Sequence, residues 1–446
     1  MVSIRRVLAQ IKDDWTAVLS EEHLTRVCRE AGATWRNRTL SPVVTIYVFL
    51  LQVLHGNTAM TNLPRLSGKR FTPAAYCQAR QRLPLAALRR LLHETGTLRR
   101  AGAGGNAGWR GHRTWLSDGS SCSMPDTPAL QQHFGQPSGQ KKGCGFPVAH
   151  LLVLFEAARG RLLDVLVSRG RMHDLSRVAE LHRWLAPGDV LIAERGFCSY
   201  AHLAQLWQPG VLVLFRMHPR QLVDFRPQRP AAEPGRAKGR PRSTWLVRCG
   251  GHDQLVEWHR PQTVSRTMTP AQHAALPPYV VVRELRYRVK TPGFRVRRVT
   301  LATTLLNPET YPAAEVAELY RQRWQVETNL RHLKQTLGLR VLKSETVAGV
   351  EKEIFVFALV YNLVQRARAG AAAAQGVLHE RISFVDALRQ LRWPLVATAP
   401  PDLWVNPLRP NRYEPRVRKR RPSEYSLMTQ PRAQLRQALR RPKDAA

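Results

Sequence analysis

The chain has 446 residues, with 69 Lys and Arg against 32 Asp and Glu and a formal net charge of +37. A field of that sign needs a polyanion, either phosphate backbones or an anionic membrane surface. The length excludes a staple-dependent miniprotein, and 43% hydrophobic residues exclude a histone-like disordered chain.

Residues 1–108 read as a helical DNA-binding domain, with helical segments at 4–15, 21–31, 42–54 and 73–98. The last segment carries Arg80, Arg82, Arg89 and Arg90, which gives the domain a basic face. The apolar run 42–54 is about thirteen residues long, short of the roughly twenty that cross a membrane. The N-terminus has a basic start and no following apolar block, so a cytoplasmic, nucleoid-associated chain with no membrane partner is expected. The six cysteines are widely separated and show no zinc-binding spacing, which reads as reduced thiols.

The glycine-rich stretch 101–111 marks a boundary. From 109 to 218 strand and helix patterns alternate, with strands at 112–117, 148–155, 162–167, 189–193 and 211–215 and helices at 175–185 and 200–207. This predicts the first part of an α/β core. The stretch 219–302 interrupts it with a Pro/Arg-rich loop at 226–242 and strands at 245–249, 279–290 and 294–304, read as an all-β insertion. Helical periodicity at 313–339 and 350–369 closes the core over 303–395. The remainder, 396–446, reads as a basic C-terminal tail with a cluster at Arg416, Arg418, Lys419, Arg420 and Arg421.

The most informative segment lies in the first of these two helices. On a helical wheel Tyr320, Arg323, Glu327 and Lys334 fall within an arc of roughly 60°. Leu319, Val326, Leu330, Leu333 and Leu337 form an apolar stripe directly beside it, so Glu327 is expected at the edge of the core. Taken alone, Arg323 and Glu327 make an ordinary i,i+4 surface pair.

The spacing Tyr-x2-Arg-x3-Glu-x6-Lys matches at all four positions the signature of the DDE insertion-sequence transposases of family four. Other segments resemble that family in the same order: Tyr76-Cys77-Gln78-Ala79-Arg80 with Leu83-Pro84, Ser117-Asp118-Gly119-Ser120, Gly143-Cys144-Gly145-Phe146-Pro147, Ala193-Glu194-Arg195-Gly196-Phe197 and Tyr361-Asn362-Leu363-Val364. The resemblance implies an RNase H-like fold and cut-and-paste transposition by phosphoryl transfer. It also implies that Asp118, Glu194 and Glu327 are the catalytic carboxylates and hold two Mg2+ ions, or Mn2+ in their place. The implied partners are double-stranded DNA, as transposon terminal inverted repeats and target DNA, and a second copy of the chain in a homodimeric synaptic complex. Two hard cations need several converging carboxylates, so the three are expected to come together in the fold. By the same transfer Tyr320, Arg323 and Lys334 bind DNA phosphates, offering a hydroxyl donor, a planar fork and a mobile point charge.

The sequence departs from the family at the second carboxylate, where Glu194 stands in place of aspartate. The extra methylene moves the carboxylate by on the order of an ångström, and magnesium demands near-ideal octahedral geometry. That leaves a second reading open, a catalytically impaired, transposase-derived DNA-binding protein. Asp189 is a poor substitute, since five residues along a strand is about 16 Å and an odd offset turns it to the other face. An RNA-binding protein would explain the charge but not the ordered carboxylate segments. Trp324, beside the apolar stripe, reads as core, while Trp245 and Trp258 are candidates for stacking on a flipped base. Lys238-Gly239-Arg240-Pro241-Arg242 resembles the core of an AT-hook.

Overall fold

The computed structural model describes residues 18–36, 38–97, 108–170, 174–219, 221, 223–228, 242–289, 297–392, 403–408 and 430–440. The helix expected at 4–15, the glycine-rich 101–107, the hook residues 238–241 and the tail cluster 416–421 lie outside the described residues. The principal helices are α1 (Glu21–Glu30), α2 (Pro42–Leu54), α3 (Pro73–Arg82), α4 (Leu85–Thr97), α5 (Pro128–Phe134), α6 (Tyr200–Trp207), α7 (Ala313–Arg321), α8 (Trp324–Arg331), α9 (Val347–Gln375), α10 (Phe384–Arg392) and α11 (Arg432–Arg440). The strands are β1 (Thr114–Ser123), β2 (Val148–Glu156), β3 (Leu162–Arg169), β4 (Val190–Ala193), β5 (Leu212–Arg216), β6 (Ser243–Gly250), β7 (Asp253–His259), β8 (Tyr279–Val289) and β9 (Arg297–Thr303).

Among the described residues these strands make one mixed sheet in the order β3-β2-β1-β4-β5-β9-β8-β7-β6. β1, β4 and β5 run parallel, and every other pairing is antiparallel. Strands buried on both faces read as continuous apolar runs, which is the pattern of β2, β4 and β5. Leu116, Val153, Ile192 and Leu214 point to one face, where α1, α2, α4, α9 and α10 pack. Trp115, Leu152, Leu191 and Val213 point to the other, which α6 and the short helix Ala179–His182 cover. The N-terminal helices therefore share a core with the sheet. At Gly96 of α4 the approach to β3 is so close that a Cβ would stand 2.9 Å from the Leu163 Cα.

Several elements differ from their sequence expectation. The helix expected over 73–98 breaks into α3 and α4 because Leu83, preceding Pro84, is held extended at ψ 129. The 175–185 segment forms only the turn Asp174–Ser176 and the short helix Ala179–His182. Within 219–302, β6 to β9 extend the core sheet through the β5–β9 pairing, and the stretch also carries the helix Pro270–Ala274, so it is neither a separate sheet nor all-β. The basic tail ends in α11, anchored by Arg432 to Asp126 and stacked over Phe146. No helix among the described residues is long and apolar enough to cross a membrane.

Candidate active site

The parallel strands set the site. Ser117 pairs with Ala193, and Ala193 pairs with Phe215. The residue after each of these is charged: Asp118 within β1, Glu194 just beyond β4 and Arg216 at the end of β5 follow one another across the edge where the parallel pairing stops. Ligands of open α/β sheets bind at that edge. Side-chain alternation places Asp118 and Glu194 on the face of Leu116 and Ile192, which is also the face on which α8 packs. The sequence suggested that β1 ends before Asp118. In the structure it continues to Ser123; from Asp118 to Cys122 it pairs with β2 alone, because β4 has already stopped, and at Ser123 it bridges to Val341.

Above this edge the signature segment is not one helix. After α7 the chain tightens, with Gln322, Arg323, Gln325 and Val326 each donating their N–H to the carbonyl three residues back. It resumes as α8 and then widens into a π turn at His332–Thr336, where Leu337 donates to the His332 carbonyl at 2.9 Å. The wheel angles of a regular helix therefore do not carry over, and Tyr320, Arg323, Glu327 and Lys334 sit in successive local geometries. π turns recur at functional sites because the extra residue re-aims a side chain. The chain beyond is tied back to β1: Ser123 donates to the Arg340 carbonyl at 3.0 Å, and Leu342 donates to the Ser123 carbonyl at 2.9 Å. This closes a cleft of about 470 Å³, lined by Ser120 to Ser123 of β1 on one side and Glu327, Arg331 and Lys334 on the other.

The electrostatics tie these groups together. Burial pushes the Asp118 carboxyl up to about 6; the Glu194 and Asp174 charges add to the rise, and the Gly119 N–H and the Arg323 guanidinium oppose it. Arg323, only 7% exposed, donates from Nη2 to Glu327 Oε1 at 3.0 Å. Its Nε has no hydrogen-bond partner, and neither has the hydroxyl of Tyr320, which is 5% exposed. Burial pushes that hydroxyl's pKa up, Arg323 and Arg216 oppose the rise, and Tyr287 and Glu194 add to it. Two buried donors without acceptors cost about 1–3 kcal/mol each.

The structure thus brings Asp118 within the field of Glu194 and of Arg323, and Arg323 in turn holds Glu327. Glu327 itself turns to Arg323, and among the described residues no three His, Cys, Asp or Glu side chains stand close enough to enclose a metal ion. The donor chemistry nevertheless suits a hard cation: all oxygen ligands, with a partly buried Asp118 carboxylate whose repulsion by Glu194 a cation would relieve. Asp189 is spent elsewhere, accepting from Arg113, Trp115 and the Ala186 N–H at the start of β4. Trp324 is not core but 49% exposed, with the Arg323 guanidinium 4.9 Å from its ring centroid. Trp258 is fully buried and donates to Glu284, which removes it as a stacking residue, whereas Trp245 is half-buried. Arg216, Tyr287 and Asp174 escaped the sequence reading. Of these only Arg216 carried a signal, as the charge that ends a buried apolar run.

Comparison with known proteins places the chain among transposases. The family model for the transposase DDE domain matches residues 109–363. The chain is 23% identical over 450 residues to the transposase InsG for insertion sequence element IS4 of Escherichia coli (strain K12), covering 95% of this chain and 94% of that protein. It is also similar to the piggyBac transposase in its synaptic complex with hairpin DNA, at a TM-score of 0.45 and 10% identity over 86% of this chain and 79% of that one.

Proposed function

Starting from the premise that the chain belongs to the transposase DDE-domain family, we propose that it cuts and joins transposon ends at the row Asp118–Glu194–Arg216, facing Glu327. It is a transposase, and its substrate on this reading is double-stranded DNA, as terminal inverted repeats and target, handled by a homodimer at the nucleoid. The order β3-β2-β1-β4-β5, with β1, β4 and β5 parallel, supports an RNase H-like core. The single observation that carries the proposal is two carboxylates on adjacent strand ends beneath a helix whose Arg323 and Glu327 face each other at 3.0 Å.

Asp118, Glu194 and Glu327 would hold Mg2+, two ions on the family pattern, with Mn2+ able to replace it. Bound there, divalent cations would activate the attacking oxygen and steady the leaving oxygen of an in-line displacement. The protein's part is positioning and charge. The Tyr320 O–H and the Arg323 Nε–H, lacking acceptors, are poised for a phosphate oxygen, and a phosphate taken up by Arg323 frees Glu327 to turn toward Asp118. Arg216 places a second guanidinium at the same edge, and Lys334 presents its ammonium from the π turn beside Cys122. The N-terminal helices, with their arginines, supply further contacts to the duplex.

The test is nicking of a labelled transposon-end fragment with Mg2+ by the natural protein and by Glu194→Asp. Cleavage by the natural protein shows that glutamate is an adequate ligand at this position. Cleavage only after Glu194→Asp makes the natural chain an impaired copy. End binding with no cleavage by either protein would overturn the assignment of these carboxylates.

A further inference from the structure

Beneath the row of charges, on the opposite face of β1, lies an acidic side chain that the mechanism above does not use. Asp174, in the turn that follows β3, rests its carboxylate directly on the strand: a Cβ on Gly119 would stand 2.3 Å from Asp174 Oδ1. His150, on β2 and paired in register with Ser121, brings its Nε2 to 2.8 Å from the same oxygen, an ion-pair distance without hydrogen-bond geometry. The turn Asp174–Ser176 also packs against the turn Arg195–Phe197, which begins directly after Glu194. Asp174 therefore braces the two strand ends that present Asp118 and Glu194, at the point where β1 has lost its pairing with β4.

From this placement we propose that Asp174, anchored by His150, is a positioning residue for the metal-dependent site, fixing the Asp118–Gly119 strand end and adding its charge to the field that draws a divalent cation. A third carboxylate beside two others is electrostatically unfavourable in the metal-free chain, and it is repaid when a cation enters. The direct contact with Gly119 also gives the glycine after Asp118 its physical reason, since any side chain there would displace Asp174.

The inference rests on the carboxylate reading, so the experiment separates the two. Mn2+ binding to the full-length protein is measured by electron paramagnetic resonance, with thermal melting of each metal-free variant in parallel. Asp174→Asn, which keeps the shape and removes the charge, is expected to weaken Mn2+ binding about tenfold, as a unit charge a few ångströms from a partly buried cation should, without lowering the melting temperature. Asp118→Asn is expected to reduce binding to background. Loss on Asp118→Asn with no change on Asp174→Asn, or a fall in melting temperature with affinity unchanged, would overturn the role of Asp174. No change on Asp118→Asn would overturn the carboxylate reading itself, and this inference with it. Should Asp174→Asn fail to fold, His150→Gln carries the test: a weaker fall in affinity supports the brace, and unchanged affinity overturns it.

Discussion

Glu353, in the first turns of α9, and Glu327, on α8, both meet hydrogen-bond donors, but their surroundings differ in completeness. Glu353 is 1% exposed and saturated: it accepts from the Lys343 N–H at 3.0 Å, the Ser344 N–H at 2.8 Å and Asn57 Nδ2 at 2.7 Å. Around it Arg80 reaches Ser344, Lys343 reaches the Asn57 carbonyl, and Lys352 reaches the Gln81 carbonyl, which joins the N-terminal helices to the segment beyond the signature. Glu327 is half exposed and meets one guanidinium, and that guanidinium keeps a buried Nε–H with nothing to bind, next to a buried tyrosine hydroxyl in the same condition. A carboxylate whose donors are all in place holds a shape, whereas buried donors left without acceptors can be completed by a ligand. On this comparison the Glu353 network is structural, and the Glu327 cluster is where we propose that the reaction takes place.

The largest effect that would sharpen the contrast is on chemistry. Asp118→Asn or Glu327→Gln should reduce end cleavage by about a thousandfold or more, because several kcal/mol of charge stabilisation are lost. End binding in a gel-shift assay should persist, and cleavage within tenfold of the natural level would break the comparison. Next, Glu353→Ala should destabilise the chain by about 3 kcal/mol, since it strands three buried donors. Chemical denaturation would read this as a shifted midpoint, and an unchanged midpoint would mean that the network is ornamental.

Tyr320→Phe removes a buried hydroxyl that has no partner. Metal-free stability should stay level or rise by up to about 1 kcal/mol, while end cleavage falls roughly tenfold as one phosphate donor is lost. A loss of stability would show that the hydroxyl is satisfied in the folded chain. A further effect concerns pH. The Asp118 carboxyl is raised to about 6 in the fold by burial first and then by Glu194 and Asp174, against an ordinary value near 4. The unfolded chain therefore releases this proton first, and its contribution to metal-free stability is present below about pH 4 and lost as pH rises through about 6. Thermal melts of the natural protein and Asp118→Asn should agree at low pH and separate above pH 6 in favour of the variant.

How much of this was legible follows from the same physics. The apolar runs that became β2, β3, β4 and β5 could be read because burial on both faces leaves few residue types. The signature spacing located Glu327 beside the core because Val326 and Leu330 mark the buried stripe. The full length of β1 could not be read, because Asp118–Cys122 pairs on one side only and carries no apolar alternation. The tightened turn at Arg323 and the π turn at Lys334 were equally hidden, since both depend on what the helix packs against. Asp174 was hidden for a different reason: it meets Gly119 only across the sheet, and a contact of that kind leaves no local pattern.

The most direct test of the central claim is the position of a bound cation. Crystals of the full-length protein soaked in Mn2+, with data collected for anomalous scattering, should show density between the Asp118 and Glu194 carboxylates, with Glu327 released from Arg323 and turned toward it. Anomalous density elsewhere, or a filled site in which Asp118 and Glu194 take no part, would contradict the account.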